Sequence, residues 1–389
     1  MREASVDKLH IFVIMFLVSL VMSVQSPIFA PYAASLGASS VLIGIMLSIA
    51  AFANLTGNLI AGPLSDRFGK KGFIALSLFL SGCLFLAHAL VSDSTSLLVV
   101  RTLNGLSLAF LIPSALALLS GYAKNSRQQG KNIAIMGILG TIASIIAPII
   151  GGQLGALIGY ANTYYVIGAS LLLTSLYTAK FLQEKQGIIA IRQAQQLGIK
   201  QVITMPNLQI VFLTAFAVMY IHGVIIYEVP YLTVERGLST ATTGVLFSFM
   251  GIGTFASSSL FFINRFDPTK RMMFGLFGMS MSIFTILNAL VTLPISLFLL
   301  GFFFGIMMPA MATGITDAVS SEGHGRAFGV MSAVNSLGMI SSSFITGVTR
   351  DLVSPYFIAF LIGMAVLILV GYAKIKMQVS HTDRLPQHY

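Results

Sequence analysis

An all-α integral membrane protein, with twelve transmembrane helices in two pseudo-symmetric six-helix bundles, is the fold class this sequence predicts. Three observations lead there. First, 56% of the 389 residues are hydrophobic and only 9% are charged, with a mean hydropathy of +0.90. A soluble domain carries about 25% charged residues and cannot hide that much apolar surface from water. Second, the chain divides into twelve apolar stretches, each near the ~20 residues a helix needs to cross a bilayer. Third, basic residues fall almost wholly in alternate connections, and the two halves of the chain carry similar marks at matching places.

The stretches run roughly over 9–33, 41–62, 72–91, 96–119, 131–156, 163–182, 208–231, 241–263, 272–291, 295–318, 326–348 and 355–374. The first is too long for a signal-peptide core, contains Pro27 and Pro31, and is followed at once by further spans, so it reads as a span itself. Connections are short except at 183–206, which carries Glu184, Lys185, Arg192 and Lys200. That segment is expected to be a cytoplasmic linker between an amino-terminal bundle (1–182) and a carboxy-terminal bundle with a short cytoplasmic tail (207–389).

Charge sets the expected orientation. With both termini in the cytoplasm, inner segments hold 19 of the 22 Lys and Arg residues, outer loops hold Arg236 and Arg350, and Arg101 falls within a span. This is the positive-inside pattern. The net charge of +10 therefore reads as membrane orientation. A nucleic-acid partner is not expected, because no basic stripe interleaved with aromatics is present. The single cysteine, Cys83, excludes an internal disulfide and a cysteine-based metal cluster. Neither a metal nor a cofactor is expected.

The halves echo each other. Asp66-Arg67-Phe68-Gly69-Lys70-Lys71 follows the second span, and Asn264-Arg265-Phe266-Asp267-Pro268-Thr269-Lys270-Arg271 follows the eighth. Pro113-Ser114-Ala115 in the fourth span matches Pro309-Ala310-Met311 in the tenth. Such repeats suggest a transporter that rocks one half against the other around a midplane cavity.

The loop after the second span, Gly62-Pro63-Leu64-Ser65-Asp66-Arg67-Phe68-Gly69-Lys70-Lys71, resembles the major facilitator superfamily, whose signature there is G-x-L-a/s-D-r-x-G-r/k-k. In physical terms Gly62 lets two helices approach, Asp66 can meet a helix amino terminus and Arg67, and Gly69 permits a tight turn. Lys70 and Lys71 hold the loop on the cytoplasmic side. The cluster suits a latch that gates the two halves. It also fits a plain solvated inner loop.

Three further segments resemble the superfamily's proton-coupled drug exporters. Arg101-Thr102-Leu103-Asn104-Gly105 in the fourth span is similar to their R-x-x-q-G motif. Arg101, Asn104 and Gly105 share a helix face. An arginine within a span costs about 2.5 kcal/mol or more and usually faces a cavity or a partner; snorkelling to the outer surface is the alternative. Ala147-Pro148-Ile149-Ile150-Gly151-Gly152 in the fifth span is similar to the antiporter motif G-P-x-x-G-G, with alanine in its first position. Pro148, Gly151 and Gly152 mark an expected kink. The first span ends Gln25-Ser26-Pro27-Ile28-Phe29-Ala30-Pro31-Tyr32, whose paired prolines resemble the same group.

Glu228 is the single acid well inside a span. Tyr220, Tyr227 and Glu228 lie on one broad side of the seventh span, and His222 projects to the other. Burial raises a carboxylate's proton affinity and a nearby arginine lowers it. The superfamily resemblance implies that the first, fourth, seventh and tenth spans line the cavity. Glu228 is therefore read as the proton carrier, modulated by Arg101. Gln25, Phe29, Tyr32, Asn104, Tyr220, Tyr227, Met307 and Met311 are candidate cavity residues. A position at the outer mouth, satisfied by tyrosine hydroxyls, is open for Glu228. Asp317, with Arg326 beyond it, is assigned to inner gating. His88 and Cys83 read as packing residues, and His222 stays undecided.

The expected function is secondary active transport: proton-coupled efflux of small hydrophobic or cationic compounds by a monomer, in a bacterial cytoplasmic membrane. The alternative is a dedicated exporter of one metabolite, such as a sugar, an amino-acid derivative or a metal chelator. An enzyme is not expected, because no P-loop, H-E-x-x-H or G-x-S-x-G is present.

Overall fold

The computed structural model describes residues 2–122, 126–183, 198–320 and 323–382, leaving aside the side chains of 2–7, 58–68, 120–121, 126–127, 129–130, 261 and 377–382. The described elements are helical. They are α1 (Arg2–Val24), α2 (Phe29–Ser35), α3 (Ser40–Phe68), α4 (Lys70–Leu90), α5 (Ser94–Ala109), α6 (Leu111–Gly121), α7 (Ser126–Ile158) and α8 (Tyr160–Phe181). There follow α9 (Ile199–Thr204), α10 (Pro206–Glu235), α11 (Thr240–Ser258), a 3₁₀ turn (Phe261–Arg265), α12 (Pro268–Leu287), α13 (Leu293–Ala318), α14 (His324–Thr349) and α15 (Pro355–Thr382).

Every expected span coincides with one of these helices or with a pair of them. By length and composition, eight stretches among the described residues qualify to cross a membrane, with α1 and α2 together as a ninth. The remaining three positions are filled by α8, α11 and α12, of 22, 19 and 20 residues. These are less apolar for a visible reason: α8 carries seven tyrosine or threonine residues, α11 opens on Thr240-Ala241-Thr242-Thr243, and α12 has Lys270 and Arg271 in its first turn.

The first span is broken. α1 and α2 meet at 45° across Gln25–Ile28. Pro27 has no N–H to give, and the backbone N–H groups of Ile28 and Phe29 both donate to the Gln25 carbonyl, at 3.1 and 3.0 Å. The polar backbone is thus satisfied inside the apolar region, as membrane burial demands. The fourth span is divided into α5 and α6 at Phe110, three residues before Pro113. Local chemistry marks the other ends. Gly69 takes φ +89° at the start of α4, a conformation open to glycine. Asp93 caps α5 by accepting from the Thr95 and Ser96 N–H groups.

The chain separates into two compact units. One comprises Met1–Arg192, Ile226–Gly251 and Ser343–Val348; the other comprises Gln193–Ile225, Ile252–Ser342 and Thr349–Tyr389. In the first, α1 packs on α7, α3 on α5 and α4 on α8. In the second, α12 packs on α13 and α15. Lipid tails are as apolar as leucine, so helix pairing relies on close fit and interhelical hydrogen bonds. A methyl group on Gly105 would overlap the Ala50 carbonyl of α3. One on Gly82 would strike Leu172 and the Gly168 carbonyl of α8.

α7 runs unbroken through Pro148. The adjacent glycines that follow it face different neighbours: Gly151 meets the Val24 carbonyl at the end of α1, and Gly152 meets Thr240 and Gly244 of α11. Replacing Gly151 with leucine is expected to destabilise the protein by about 1–3 kcal/mol through overpacking. Thermal unfolding in detergent checks this, with Gly140→Leu as the control, since open space surrounds Gly140.

Candidate functional site

Arg101 is the centre of the candidate site. It lies two turns into α5, and its Nη1 donates to Gln25 Oε1 at 2.5 Å. Its guanidinium carbon stands 4.1 Å from the centre of the Phe29 ring. The break in the first span therefore supplies both supports, an amide from its loop and a ring from the start of α2. A charge-assisted hydrogen bond contributes about 1.5–3 kcal/mol, and a desolvated cation–π contact about 2 kcal/mol. Together they offset the cost of an arginine at this depth. Both partners are neutral, so the positive charge is retained.

Polar atoms without partners gather around it. Arg101 Nε, Asn104 Nδ2, Tyr164 Oη and His88 Nε2 are buried and make no hydrogen bond within the described residues. His88 Nδ1 donates to the Leu84 carbonyl at 2.7 Å, which leaves Nε2 with its lone pair. The His88 ring stacks on Tyr164 at 5.1 Å, and Tyr164 lies 5.2 Å from Tyr32. Tyr32 Oη in turn donates to the His88 carbonyl at 2.5 Å. Below Asn104 the seam between α4 and α5 stays polar, with Ser81 and Ser107 hydroxyls 2.7 Å apart.

The structure brings Gln25, Phe29, Tyr32, Arg101 and Asn104 into this one region of the first compact unit. Glu228, in α10, belongs to the same unit and is 3% exposed. Tyr227 beside it is fully buried and donates to the Ser40 carbonyl at 2.5 Å. Tyr220, Met307 and Met311 are buried in the second unit, where Met307 packs against Gly275 of α12. His222 stacks on Phe304 at 4.9 Å and has Nδ1 buried without a hydrogen-bond partner. Sequence reasoning set His88 aside as packing and passed over Tyr164. An ionisable side chain inside a span was the available signal for His88; Tyr164, near the start of its helix, offered none beyond an interfacial anchor.

Of the gating residues, Gly69 and Lys70 open α4, whereas the side chains at Asp66 and Arg67, and position 62, lie outside the described residues. Asp317 is exposed at the end of α13, and Arg326 lies in the first turn of α14. The second copy of the loop motif is well defined. Asp267 accepts from the Lys270 N–H at 2.9 Å, capping α12, and pairs with Lys374 of α15 at 3.3 Å. Arg271 donates to Asn264 Oδ1 at 2.7 Å and is within electrostatic reach of Asp317.

These helices and their buried charges define a multi-pass membrane transporter. The family model of the Major Facilitator Superfamily matches residues 11–343, and again 211–384; the chain belongs to this superfamily. It is 26% identical to the "Multi-drug resistance efflux pump PmrA homolog" of Lactococcus lactis, over 92% of this chain and 90% of that one. It is 29% identical to the "Uncharacterized MFS-type transporter MJ1560" of Methanocaldococcus jannaschii, a match that spans 46% of each chain. A crystal structure of nucleoside transporter NupG shares the fold, with a TM-score of 0.76 at 15% identity over 95% of this chain and 99% of that one.

Two outcomes are expected here. In a double-mutant cycle of Gln25→Leu and Arg101→Leu, followed by thermal unfolding, the coupling energy is expected to be about 1–3 kcal/mol. For Asp267, burial pushes the carboxyl up, but the Lys270 N–H and Lys374 hold it below the ordinary aspartate range. Its stabilisation is present above the unfolded value and is lost as pH falls through the lower folded value. Lys374→Met is thus expected to cost about 0.5 kcal/mol at neutral pH, with the deficit closing below roughly pH 4. Unfolding midpoints at several pH values check this.

Proposed function

We propose that this chain is a proton-driven exporter of small hydrophobic or cationic compounds, working by alternating access as a monomer in a bacterial cytoplasmic membrane. The observation that carries the reading is a pair of ionisable groups in spanning helices of one compact unit, Glu228, which is 3% exposed, and Arg101, whose Nε is buried. Glu228 is the proton carrier in this reading. Its carboxylate binds a proton from outside, the transporter changes access, and the proton is released to the cytoplasm while substrate moves outward. Arg101, fixed by Gln25 and Phe29, keeps a positive charge in the same unit and favours the ionised carboxylate during release.

The moving parts are taken to be two six-helix bundles, 1–182 and 207–389, joined by 183–206, with both termini in the cytoplasm. The repeated loop marks and the second family match over 211–384 support that division. Asp66, Arg67, Gly69 and Lys70, with Asp317 and Arg326, form the cytoplasmic gate in this reading. Tyr220, Met307 and Met311 contribute the second bundle's share of the cavity; methionines adapt their shape to several ligands. The efflux-pump relative from Lactococcus lactis, similar over 92% of the chain, supports the direction of transport.

Proteoliposomes with an imposed pH gradient test the proposal. Several lipophilic drugs are expected to trigger proton flux in the wild type, with at least a tenfold loss in Glu228→Gln. Unchanged proton coupling in that variant rules out Glu228 as carrier, and flux with a single polar metabolite replaces polyspecific export by a dedicated exporter.

A further inference from the structure

Arg101 keeps its charge, because the groups that hold it are an amide and an aromatic ring. Its Nε edge makes no hydrogen bond within the described residues, and neither does Asn104 Nδ2, one turn further along α5. Tyr164 Oη of α8 is buried, without a partner there, and within electrostatic reach of the guanidinium. All three are hydrogen-bond donors, and Asn104 and Tyr164 are 2% and 0% exposed. Buried donors in native proteins are almost always satisfied. With its own Nε edge open and two further donors beside it, a cation held only by neutral groups suits an acceptor with negative charge.

We propose that Arg101, Asn104 and Tyr164 form a binding site for one carboxylate group, and that carboxylate-bearing amphiphiles are among the compounds this transporter carries. The shape and charge of the donors select that chemistry. A guanidinium edge fits the planar, two-oxygen carboxylate. One positive charge balances one negative charge, whereas a phosphate dianion would bring an unmatched charge into a low-dielectric region and would cost more to desolvate. The flanking rings of Phe29 and Tyr32 provide an apolar surround for the rest of such a molecule. The His88 ring, stacked behind Tyr164, holds the phenol in place.

The inference goes beyond the export reading by adding anionic amphiphiles to its hydrophobic or cationic compounds, and rests on it only for the transport of such compounds; occupancy of the site is a matter of equilibrium binding. The test therefore uses purified full-length protein in nanodiscs at neutral pH, without a gradient. The probes are 2-naphthoate and its uncharged isostere 2-naphthamide, followed by calorimetry. Wild type is expected to bind the naphthoate at least tenfold more tightly than the amide. Arg101→Gln is expected to bring the two within threefold. Tyr164→Phe keeps the ring stacking and removes only the hydroxyl, so it tests the site independently of whether the arginine variant folds, and it is expected to reduce the preference at least threefold. Absence of naphthoate binding, equal affinity of the two probes in the wild type, or an unchanged preference in the folded variants overturns the proposal. A transport assay in which Glu228→Gln still couples protons rules out Glu228 as the carrier and leaves this binding result standing.

Discussion

A single guanidinium inside a bilayer-crossing helix is the constraint around which the first compact unit is built. Hydrocarbon offers no solvent for Arg101, and every interaction that makes the position tolerable comes from another helix. The break between α1 and α2 delivers two of them, the Gln25 amide and the Phe29 face. The break itself survives in the membrane because the Gln25 carbonyl takes up two backbone N–H groups and Pro27 contributes none. A kinked first span and a charged fourth span are thus one solution to one desolvation problem. The chosen partners are neutral, which leaves the charge available.

Close backbone approach is the second requirement. Apolar burial cannot drive helices together in lipid as it does in water, so the first unit relies on glycine and hydroxyl contacts. Gly105 against Ala50 sets the α3–α5 pair, and Gly82 with Gly168 sets the α4–α8 pair. Hydroxyl donors add direction: Ser175 reaches the Ala75 carbonyl of α4, Thr240 reaches that of Gly152, and Ser248 reaches that of Ile145. The latter two tie α11 to α7 beside Pro148, whose own N–H is absent. Gly151 and Gly152, small residues of that linear motif, also serve as contact points towards two different neighbours of α7.

How much was legible depended on what each feature rests on. The helices were legible because a bilayer imposes length and apolarity, both of which are properties of a local segment. α8, α11 and α12 were visible as apolar stretches of spanning length even though their polar residues weaken their hydropathy. Arg101 stood out as a charge where charge is costly, and the Gln25–Phe29 side of the first span stood out through its paired prolines. The meeting of these two segments was not legible, since they are 76 residues apart and no periodicity links them. Tyr164 was missed for the same reason: it matters through His88, Tyr32 and Arg101, each on a different helix.

By itself, then, the sequence determined the class of environment, the number and order of apolar segments, the superfamily signature and the few residues too polar for their surroundings. Those follow from transfer free energies and local geometry, which a chain carries residue by residue. Only the tertiary structure decided which neutral groups hold Arg101, which glycine faces which helix, and that His88 and Tyr164 stand beside the arginine with polar atoms to spare. These are pairings between distant segments. They are selected by shape and by the need to satisfy buried donors across helices, a condition that no single stretch of sequence expresses.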